Sequence, residues 1–224
     1  MPTWSYIIVA VAAYLLGSIP TGFLAAKTRG IDIRAAGSGN IGATNALRVL
    51  GKPAGIFVLL ADVAKGFVAC ALISPLVYNS IEPHYSGLIV SFQNEPVELQ
   101  MKYKLVAGIF AVLGHNYTCW LKFNGGKGVA TTAGVYLALA PEALGIAFAV
   151  FILIILATRY VSIGSIVAAI VLPAVVWILP PHNLALGIVT TALGALVIYK
   201  HKSNIQRLMT GTENRLGKKS GGAK

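Results

Sequence analysis

Residues 143–158 have the sequence ALGIAFAVFILIILAT, which contains no charged side chain. Such a run is typical of a helix that crosses a lipid bilayer, since a crossing takes about 20 mostly apolar residues. Similar runs recur along the chain. Together they comprise residues 4–26, 53–78, 104–121, 128–140, 143–158, 163–180 and 184–199. The sequence therefore predicts an all-α polytopic membrane protein with seven transmembrane helices.

The composition supports this class of protein. The chain has 224 residues, of which 56% are hydrophobic and 11% are charged, whereas soluble domains carry about 25% charged residues. Seven helices with short loops leave no room for a second folded domain. We expect a single membrane-embedded domain over residues 1–210 and a basic, flexible cytoplasmic tail over residues 211–224.

The basic residues predict the orientation. Alternate loops are basic, so one side of the predicted bundle holds 15 basic and 2 acidic residues and the other holds 2 basic and 4 acidic. Lys and Arg are enriched in cytoplasmic loops, which places the N-terminus outside and the C-terminus in the cytoplasm of a bacterial inner membrane. The excess charge also attracts anionic lipid. Nucleic acid is not an expected partner, because aromatic and basic residues are not interleaved as in a nucleic-acid-binding module.

Some polar residues lie inside the apolar segments. Asp62 and Lys65 are three residues apart in the second segment, and charges at this depth are usually paired. We favour an ion pair that fixes helix packing, with a proton relay or a substrate contact as the alternative. His115 is expected to be a hydrogen-bonded packing residue. Cys70 and Cys119 are expected to be unpaired packing residues.

The stretch GSGNIGATN, residues 37–45, cannot pack in a core or face lipid. Glycines let backbone N–H groups converge on one point, and a helix that begins after such a turn can bind an anion. Asn45 is expected to cap a short helix that ends at Gly51, with Arg48 on its first turn. We interpret this stretch as a phosphate cradle, the alternative being a flexible loop before a capped helix.

A second glycine-rich turn, NGGKG, occupies residues 124–128. Lys127 lies between glycines, where its ammonium can reach a phosphate as a point charge. The turn is on the same predicted side of the membrane as the first. Two such turns suit a site that binds two phosphates.

Two further cytoplasmic segments carry polar residues. Ser162 and Ser165 follow the fifth apolar segment and can act as helix caps or packing groups. His201, Asn204 and Arg207 are spaced three residues apart, so they share a helix face if the last helix continues. The alternative without a functional role is a polar helix end at the membrane surface.

The predicted cytoplasmic face is rich in cations and poor in carboxylates, since its acidic residues are Asp32 and Glu213. Phosphotransferases that use Mg²⁺ need carboxylate ligands. We therefore expect no metal and no cofactor. Such a site favours an anionic substrate and the transfer of a group other than a phosphoryl group.

Three motifs carry a resemblance to a known family. The motifs are GSGNIGATN, then the pair GHN and FNGGKGVAT, and last HKSNIQRLMTGTE. In order and spacing they resemble the signature motifs of bacterial acyl-phosphate:glycerol-3-phosphate acyltransferases of the PlsY type. The resemblance implies a seven-helix inner-membrane enzyme. Its reaction moves a fatty acyl group from acyl phosphate to the 1-hydroxyl of glycerol 3-phosphate, giving lysophosphatidic acid and phosphate in phospholipid biosynthesis.

The resemblance also assigns site residues. It implies a phosphate-binding group that comprises Gly39, Asn40, Gly42, Thr44, Asn45, Gly125 and Gly126. It implies a catalytic group that comprises Ser38, Arg48, Lys127, Ser165, His201 and Asn204, with Ser162 as an alternative to Ser165. The chain departs from the family pattern at Thr118, where proline is frequent, and at Asn124, where lysine is frequent.

The expected chemistry is direct attack by the glycerol hydroxyl, because no Cys or Ser lies beside an evident base that would make it a covalent nucleophile. The proton goes either to His201 or to an oxygen of the substrate phosphate. A transporter of organic phosphates is the alternative function, and a lipid-binding scaffold is a third. The expected partners are the two substrates and the bilayer, and the sequence leaves the oligomeric state open.

Overall fold

The structure is a computed structural model that describes residues 3–81, 97–180 and 182–217. These residues form helices joined by turns, with no strand among them, which confirms the all-α prediction. The α-helices are α1 (Thr3–Ser18), α2 (Thr21–Lys27), α3 (Ala43–Leu50), α4 (Lys52–Val68), α5 (Ser74–Ile81), α6 (Val97–Asn116), α7 (Val129–Leu139), α8 (Pro141–Thr158), α9 (Val161–Ile178), α10 (Leu184–Lys200) and α11 (Lys202–Met209).

All seven predicted apolar segments fall on these helices, but the described helices confirm only part of the predicted crossings. Four stretches are long and apolar enough to cross a membrane, and a fifth is added if α10 and α11 are taken together across a 52° bend. The first four are Thr3–Lys27, Lys52–Ser80, Pro141–Thr158 and Val161–Ile178. With 11 residues, α7 rises only about 16 Å, roughly half the hydrocarbon thickness.

Small residues bring the helices close together. α1 packs on α6, α4 on α7, and α9 on both α8 and α10. A β-carbon at Gly134 of α7 would lie 1.9 Å from the carbonyl oxygen of Val63, and one at Gly66 of α4 would lie 2.0 Å from that of Thr131. The backbones of α4 and α7 thus touch directly, which is the usual means of tight packing between membrane helices.

A small second core lies under the first glycine-rich loop. It joins α2, α3, α4 and the turn after α6 through the buried residues Ala26, Ile33, Ile41, Ala46, Leu50, Val58 and Leu121. The loop is therefore packed on the bundle rather than free. Cys70 is buried and Cys119 is partly buried, and both are unpaired as the sequence predicts.

We predict that Gly134→Ala destabilises the protein. The added methyl group meets the backbone of α4, which cannot move without separating the two helices. We expect the Tm in detergent to fall by several degrees, as is usual for overpacking that costs about 1–3 kcal/mol. Gly145→Ala in α8 is the matched control, because nothing lies within 4 Å of a β-carbon there. Alanine is about 1 kcal/mol better than glycine in a helix, so the control should not lower the Tm. Equal Tm values for both variants would contradict the α4–α7 contact.

Candidate active site

The first glycine-rich loop leads into α3, whose N-cap residue is Gly42. The structure corrects two expectations here. Asn45 lies inside the first turn of α3 and does not cap it, and Arg48 lies in the last turn rather than the first. The helix ends at Gly51, as predicted, where φ is +89°.

Asn45 instead fastens the loop. Its side chain is buried, and its Nδ2 donates to the carbonyl oxygens of Ala36 at 3.0 Å, Asn40 at 2.8 Å and Ile33 at 3.3 Å. Its Oδ1 accepts the N–H of Ser38 at 2.8 Å. One side chain thus fixes the path of the loop from both sides of its turn. An apolar core could not do this for a glycine-rich segment.

Arg48 is partly buried. Burial lowers its pKa, and Glu213 and Arg207 are close enough to act on the same guanidinium in opposite directions. The structure therefore brings the first motif next to the third. Arg48 makes no hydrogen bond or ion pair with the rest of the described chain, so its donors are available to an anion.

The NGGKG turn is attached to the end of α6. The N–H of Gly125 donates to the carbonyl oxygen of Asn116 at 3.2 Å, and that of Gly126 donates to the carbonyl oxygen of His115 at 2.9 Å. Gly126 also lies on the imidazole, because a β-carbon there would be 2.0 Å from Nε2 of His115. These contacts fix the position of the backbone that carries Lys127.

A chain of polar contacts joins the second motif to the third. Nζ of Lys127 donates to Oδ1 of Asn204. Nδ2 of Asn204 donates to Oε1 of Glu213 at 2.7 Å, and Nε of Arg207 donates to Oε2 of the same carboxylate at 2.7 Å. The side chain of Glu213 is only 6% exposed. A single carboxylate thus accepts from two groups inside a cluster of cations.

The electrostatics follow from this geometry. Burial, together with Arg207, Arg48 and Lys200, lowers the pKa of Lys127 to about 8 against the opposing effect of Glu213. Burial raises the pKa of Glu213, but the hydrogen bonds from Asn204 and Arg207 outweigh this effect and leave its pKa below the ordinary value. The glutamate is therefore ionised at neutral pH, while the lysine is more easily deprotonated than usual.

His201 lies where the last helix bends by 52°, between α10 and α11. The helix does not continue straight, yet His201 and Asn204 are both buried in the cluster. Nδ1 of His201 is 2.7 Å from the carbonyl oxygen of Val197. A carbonyl oxygen only accepts, so Nδ1 carries a proton and Nε2 is the free ring nitrogen.

Of the two candidate serines, Ser162 lies at the cluster. The hydroxyl of Ser165 donates to the carbonyl oxygen of Val161 at 2.9 Å. The hydroxyl of Ser162 is buried beside the Glu213 carboxylate, although it makes no hydrogen bond of normal geometry with a described residue. One helical turn of α9 separates the two, a difference that the sequence spacing could not resolve.

Glu213 is the functional candidate that sequence reasoning missed. It lies in the segment 211–224, for which the composition predicts a flexible tail. In the structure the N–H of Leu216 donates to the carbonyl oxygen of Arg159 at 2.8 Å, and Arg215 donates to the hydroxyl of Tyr160 at 2.8 Å. The available signal was the end of the third motif, GTE, which keeps an acid in a basic segment.

Other predicted residues lie nearby without joining the cluster. Within the described residues, no hydrogen bond joins the candidates of the first motif to Lys127, Asn204 or Glu213; they are Ser38, from the catalytic group, and Gly39, Asn40, Gly42 and Thr44, from the phosphate-binding group. The first four lie in the turn before α3, and Thr44 lies in its first turn.

The two departures from the family pattern have local roles. Thr118 donates from its hydroxyl to the carbonyl oxygen of Ser18 and so joins the end of α6 to α1. Asn124 is exposed and donates to the carbonyl oxygen of Lys122 at 3.0 Å. Neither residue adds a charge to the cluster.

The second and third motifs thus meet in one cationic cluster around the carboxylate of Glu213, with Arg48 of α3 close by. A family model described as Glycerol-3-phosphate acyltransferase matches residues 7–211, which contain the first two motifs and residues 201–211 of the third. The chain belongs to the glycerol-3-phosphate acyltransferase family. Similar curated members come from Trichlorobacter lovleyi, at 45% identity over 91% of this chain and 93% of the relative, and from Clostridioides difficile, at 43% identity over 98% and 99%.

Two crystal structures of PlsY, an integral membrane glycerol 3-phosphate acyltransferase, have the same fold. The glycerol 3-phosphate form matches with a TM-score of 0.79 and the lysophosphatidic acid form with 0.76. Both are 37% identical to this chain and cover 95% of it and 96% of their own length. The acyltransferase described here is accordingly an integral membrane enzyme of phospholipid biosynthesis that acylates glycerol 3-phosphate.

Family membership decides between the functions that the sequence left open, in favour of the enzyme over the transporter and the scaffold. Within the part of the chain that the structure describes, no group of three or more His, Cys, Asp or Glu side chains is placed to hold a metal ion.

We predict a loss of activity at alkaline pH that depends on Lys127. Its ammonium holds a charge below its pKa of about 8 and loses it as the pH rises through that value. A phosphate monoester is already dianionic there, since its second pKa is about 6. We expect kcat/KM for glycerol 3-phosphate to fall through this range, approaching about tenfold per pH unit.

The control is Lys127→Arg, because a guanidinium stays charged throughout this range. Its residual kcat/KM should be flat between pH 7 and 10, after subtraction of donor hydrolysis without enzyme. The same alkaline decline in both proteins would assign the titration to another group.

Proposed function

We propose that the acyltransferase uses acyl phosphate as donor and acylates the 1-hydroxyl of glycerol 3-phosphate. The observation that carries this proposal is the charge of the cluster, in which Arg48, Lys127 and Arg207 face the single carboxylate of Glu213. The excess positive charge matches a second phosphate group besides that of glycerol 3-phosphate. A donor with phosphate next to its acyl carbon supplies that group.

Similar structures support glycerol 3-phosphate as the acceptor of this chain. One of the similar PlsY structures is the glycerol 3-phosphate form and the other is the lysophosphatidic acid form, which correspond to an acceptor and its acylated product. With 95% of the chain covered at 37% identity, the same acceptor fits here.

The roles of the residues follow from their contacts. Oxygen O1 of glycerol 3-phosphate attacks the acyl carbon, the bond from that carbon to the phosphate oxygen breaks, and inorganic phosphate leaves. Arg48 and Lys127 stabilise the charge that develops on the leaving phosphate. The hydroxyl proton passes to the free Nε2 of His201 or to an oxygen of the phosphate.

Asn204 and Glu213 position the cations in this proposal. Asn204 holds the ammonium of Lys127, and Glu213 orients Asn204 and Arg207 from the other side. Ser162, rather than Ser165, lies beside the carboxylate of Glu213 and so supports the cluster in this proposal. At the start of α3, where helical N–H groups lack internal partners, Ala43 and Thr44 supply backbone N–H groups in this proposal.

We predict that purified protein given palmitoyl phosphate and glycerol 3-phosphate releases phosphate and forms 1-acyl-glycerol 3-phosphate at an undiminished rate in EDTA. Palmitoyl-CoA should not replace the donor, because its thioester has no phosphate beside the acyl carbon. Phosphate release and product mass are the measurements. Equal turnover with the thioester, or loss of activity in EDTA, would contradict the proposed chemistry.

Variants of two arginines give the matched control for this experiment. Arg48→Ala should lose about 10- to 100-fold in kcat/KM, the value of about 1.5–3 kcal/mol expected for a charged contact. Arg34→Ala in the preceding loop should keep activity, since Arg34 is exposed and pairs with Asp32. Equal loss in both would show that general surface charge matters rather than the cluster.

We propose further that the chain crosses a bacterial inner membrane seven times with its C-terminus in the cytoplasm. The asymmetry of basic residues supports this topology. The topology depends on whether the short helix α7 crosses the membrane. If α7 entered and left on the same side, every loop after it would lie on the side opposite to the one proposed.

Single cysteines test this topology in a Cys70→Ala, Cys119→Ala background. Lys122→Cys before α7 and His182→Cys after α9 both lie at exposed positions. We expect a membrane-impermeant thiol reagent to label the first only in inverted vesicles and the second only in right-side-out vesicles. Labelling of both from one side would mean that α7 does not cross.

A further inference from the structure

A buried ion pair lies in the bundle apart from the cationic cluster. Asp62 and Lys65 are one turn apart on α4, with Nζ of Lys65 2.7 Å from Oδ1 of Asp62 and side chains that are 3% and 6% exposed. Removing two charges from water costs more than their attraction usually returns. The contacts that surround the pair indicate what it does.

On one side the pair holds the break between α1 and α2. Nζ of Lys65 donates to the carbonyl oxygen of Ile19 at 2.6 Å and to the hydroxyl of Thr21. The hydroxyl of Thr21 lies 3.0 Å from Oδ1 of Asp62 and donates to it. Pro20, between them, has no N–H to continue the helix. The ammonium thus satisfies backbone that the interruption leaves inside the bundle.

On the other side the pair meets the NGGKG turn through one imidazole. Nδ1 of His115 lies 3.7 Å from Oδ1 of Asp62. The opposite edge of the ring carries Gly126, where a β-carbon would be 2.0 Å from Nε2. Lys127 is the next residue. A rotation of this ring would therefore move the turn and its ammonium.

The same break in the chain supports the first glycine-rich loop. Gly22, at the start of α2, lies against the carbonyl oxygen of Ile41, since a β-carbon there would be 1.9 Å from it. Ile41 is within the loop that leads into α3. Both loops that we assign to phosphate binding thus rest on residues that Asp62 and Lys65 hold in place.

We propose that Asp62 and Lys65 are positioning residues for the acyl transfer, acting through His115 on Lys127 and through Thr21 and Ile19 on the first loop. They do not touch the substrate. The inference rests on the proposed role of Lys127 at the phosphate site. It differs from a packing role, because a pair that only packs can be exchanged for apolar side chains of similar volume without loss.

The test is the double variant Asp62→Leu/Lys65→Met in detergent. We expect a folded protein with a Tm within several degrees of the original and a KM for glycerol 3-phosphate raised at least tenfold. Hydrogen exchange should also rise in residues 124–128, whose N–H groups depend on the position of α6, and stay unchanged in α11. If the pair only packs, KM and the exchange at residues 124–128 should change only when the Tm also falls.

Two further variants accompany the test. Asp62→Asn keeps an oxygen that accepts from Lys65 and Thr21, so its KM should rise less than that of the double variant; it also tests the inference if the double variant does not fold. Ser5→Ala/Tyr103→Phe removes another buried polar contact, of 2.6 Å, between α1 and α6 at the far end of these helices. That pair should leave KM and exchange at residues 124–128 unchanged.

The outcomes separate the two proposals. Original KM and exchange values in both Asp62 variants would overturn the positioning role. Lys127→Met is measured alongside and should lose activity. If Lys127→Met keeps the original KM, both the proposed phosphate site and the positioning role are wrong. If Lys127→Met is impaired and the Asp62 variants are not, the phosphate site is supported and the positioning role is wrong.

Discussion

The carbonyl oxygen of Asn116 accepts two hydrogen bonds on which the active-site face depends. One comes from the N–H of Gly125 at 3.2 Å and the other from the ammonium of Lys200 at 2.9 Å. The first attaches the NGGKG turn to the end of α6, and the second attaches the end of α10 to the same point. Lys127 and Asn204 follow these two anchors in sequence, so fixing the anchors brings the second and third motifs into contact.

Charge balance in the cluster explains why one acid is retained among so many cations. Without Glu213, the partly buried Arg48, Lys127 and Arg207 would repel one another where water screens them poorly. The carboxylate reduces this repulsion and remains hydrogen-bonded to Asn204 and Arg207. An incoming phosphate then meets cations held in position, and Arg48 makes no hydrogen bond to Glu213 or Asn204.

The sequence predicted features that depend on local composition. Apolar runs gave the helices, the two glycine-rich turns gave the loops, and Lys127, His201 and Asn204 were placed in one site. The count of crossings is confirmed only in part, because four described stretches, or five with α10 and α11 taken together, are long and apolar enough to cross. Features set by folding back of the chain were missed. Glu213 enters the cluster through the turn after α11, where Gly211 has φ of +69°, and no periodicity marks such a turn.

Asn45 shows a related limit. Its residue type and position before a helix suggested a cap, since asparagine is a preferred N-cap residue. In the structure its amide adds to the small core under the loop by binding carbonyl oxygens that lie up to 12 residues away in sequence. The sequence shows that Asn45 has an amide that can donate, but it does not show which carbonyl oxygens that amide contacts.

The return of residues 213–216 to the start of α9 has a consequence for synthesis in the cell. Arg48 and Lys127 leave the ribosome long before Glu213, which follows every helix of the described chain. Until it arrives, the cations face one another without their carboxylate, and Asn204 lacks the acceptor that orients it. The nascent enzyme therefore cannot complete its active site until the residues that follow α11 have been synthesised.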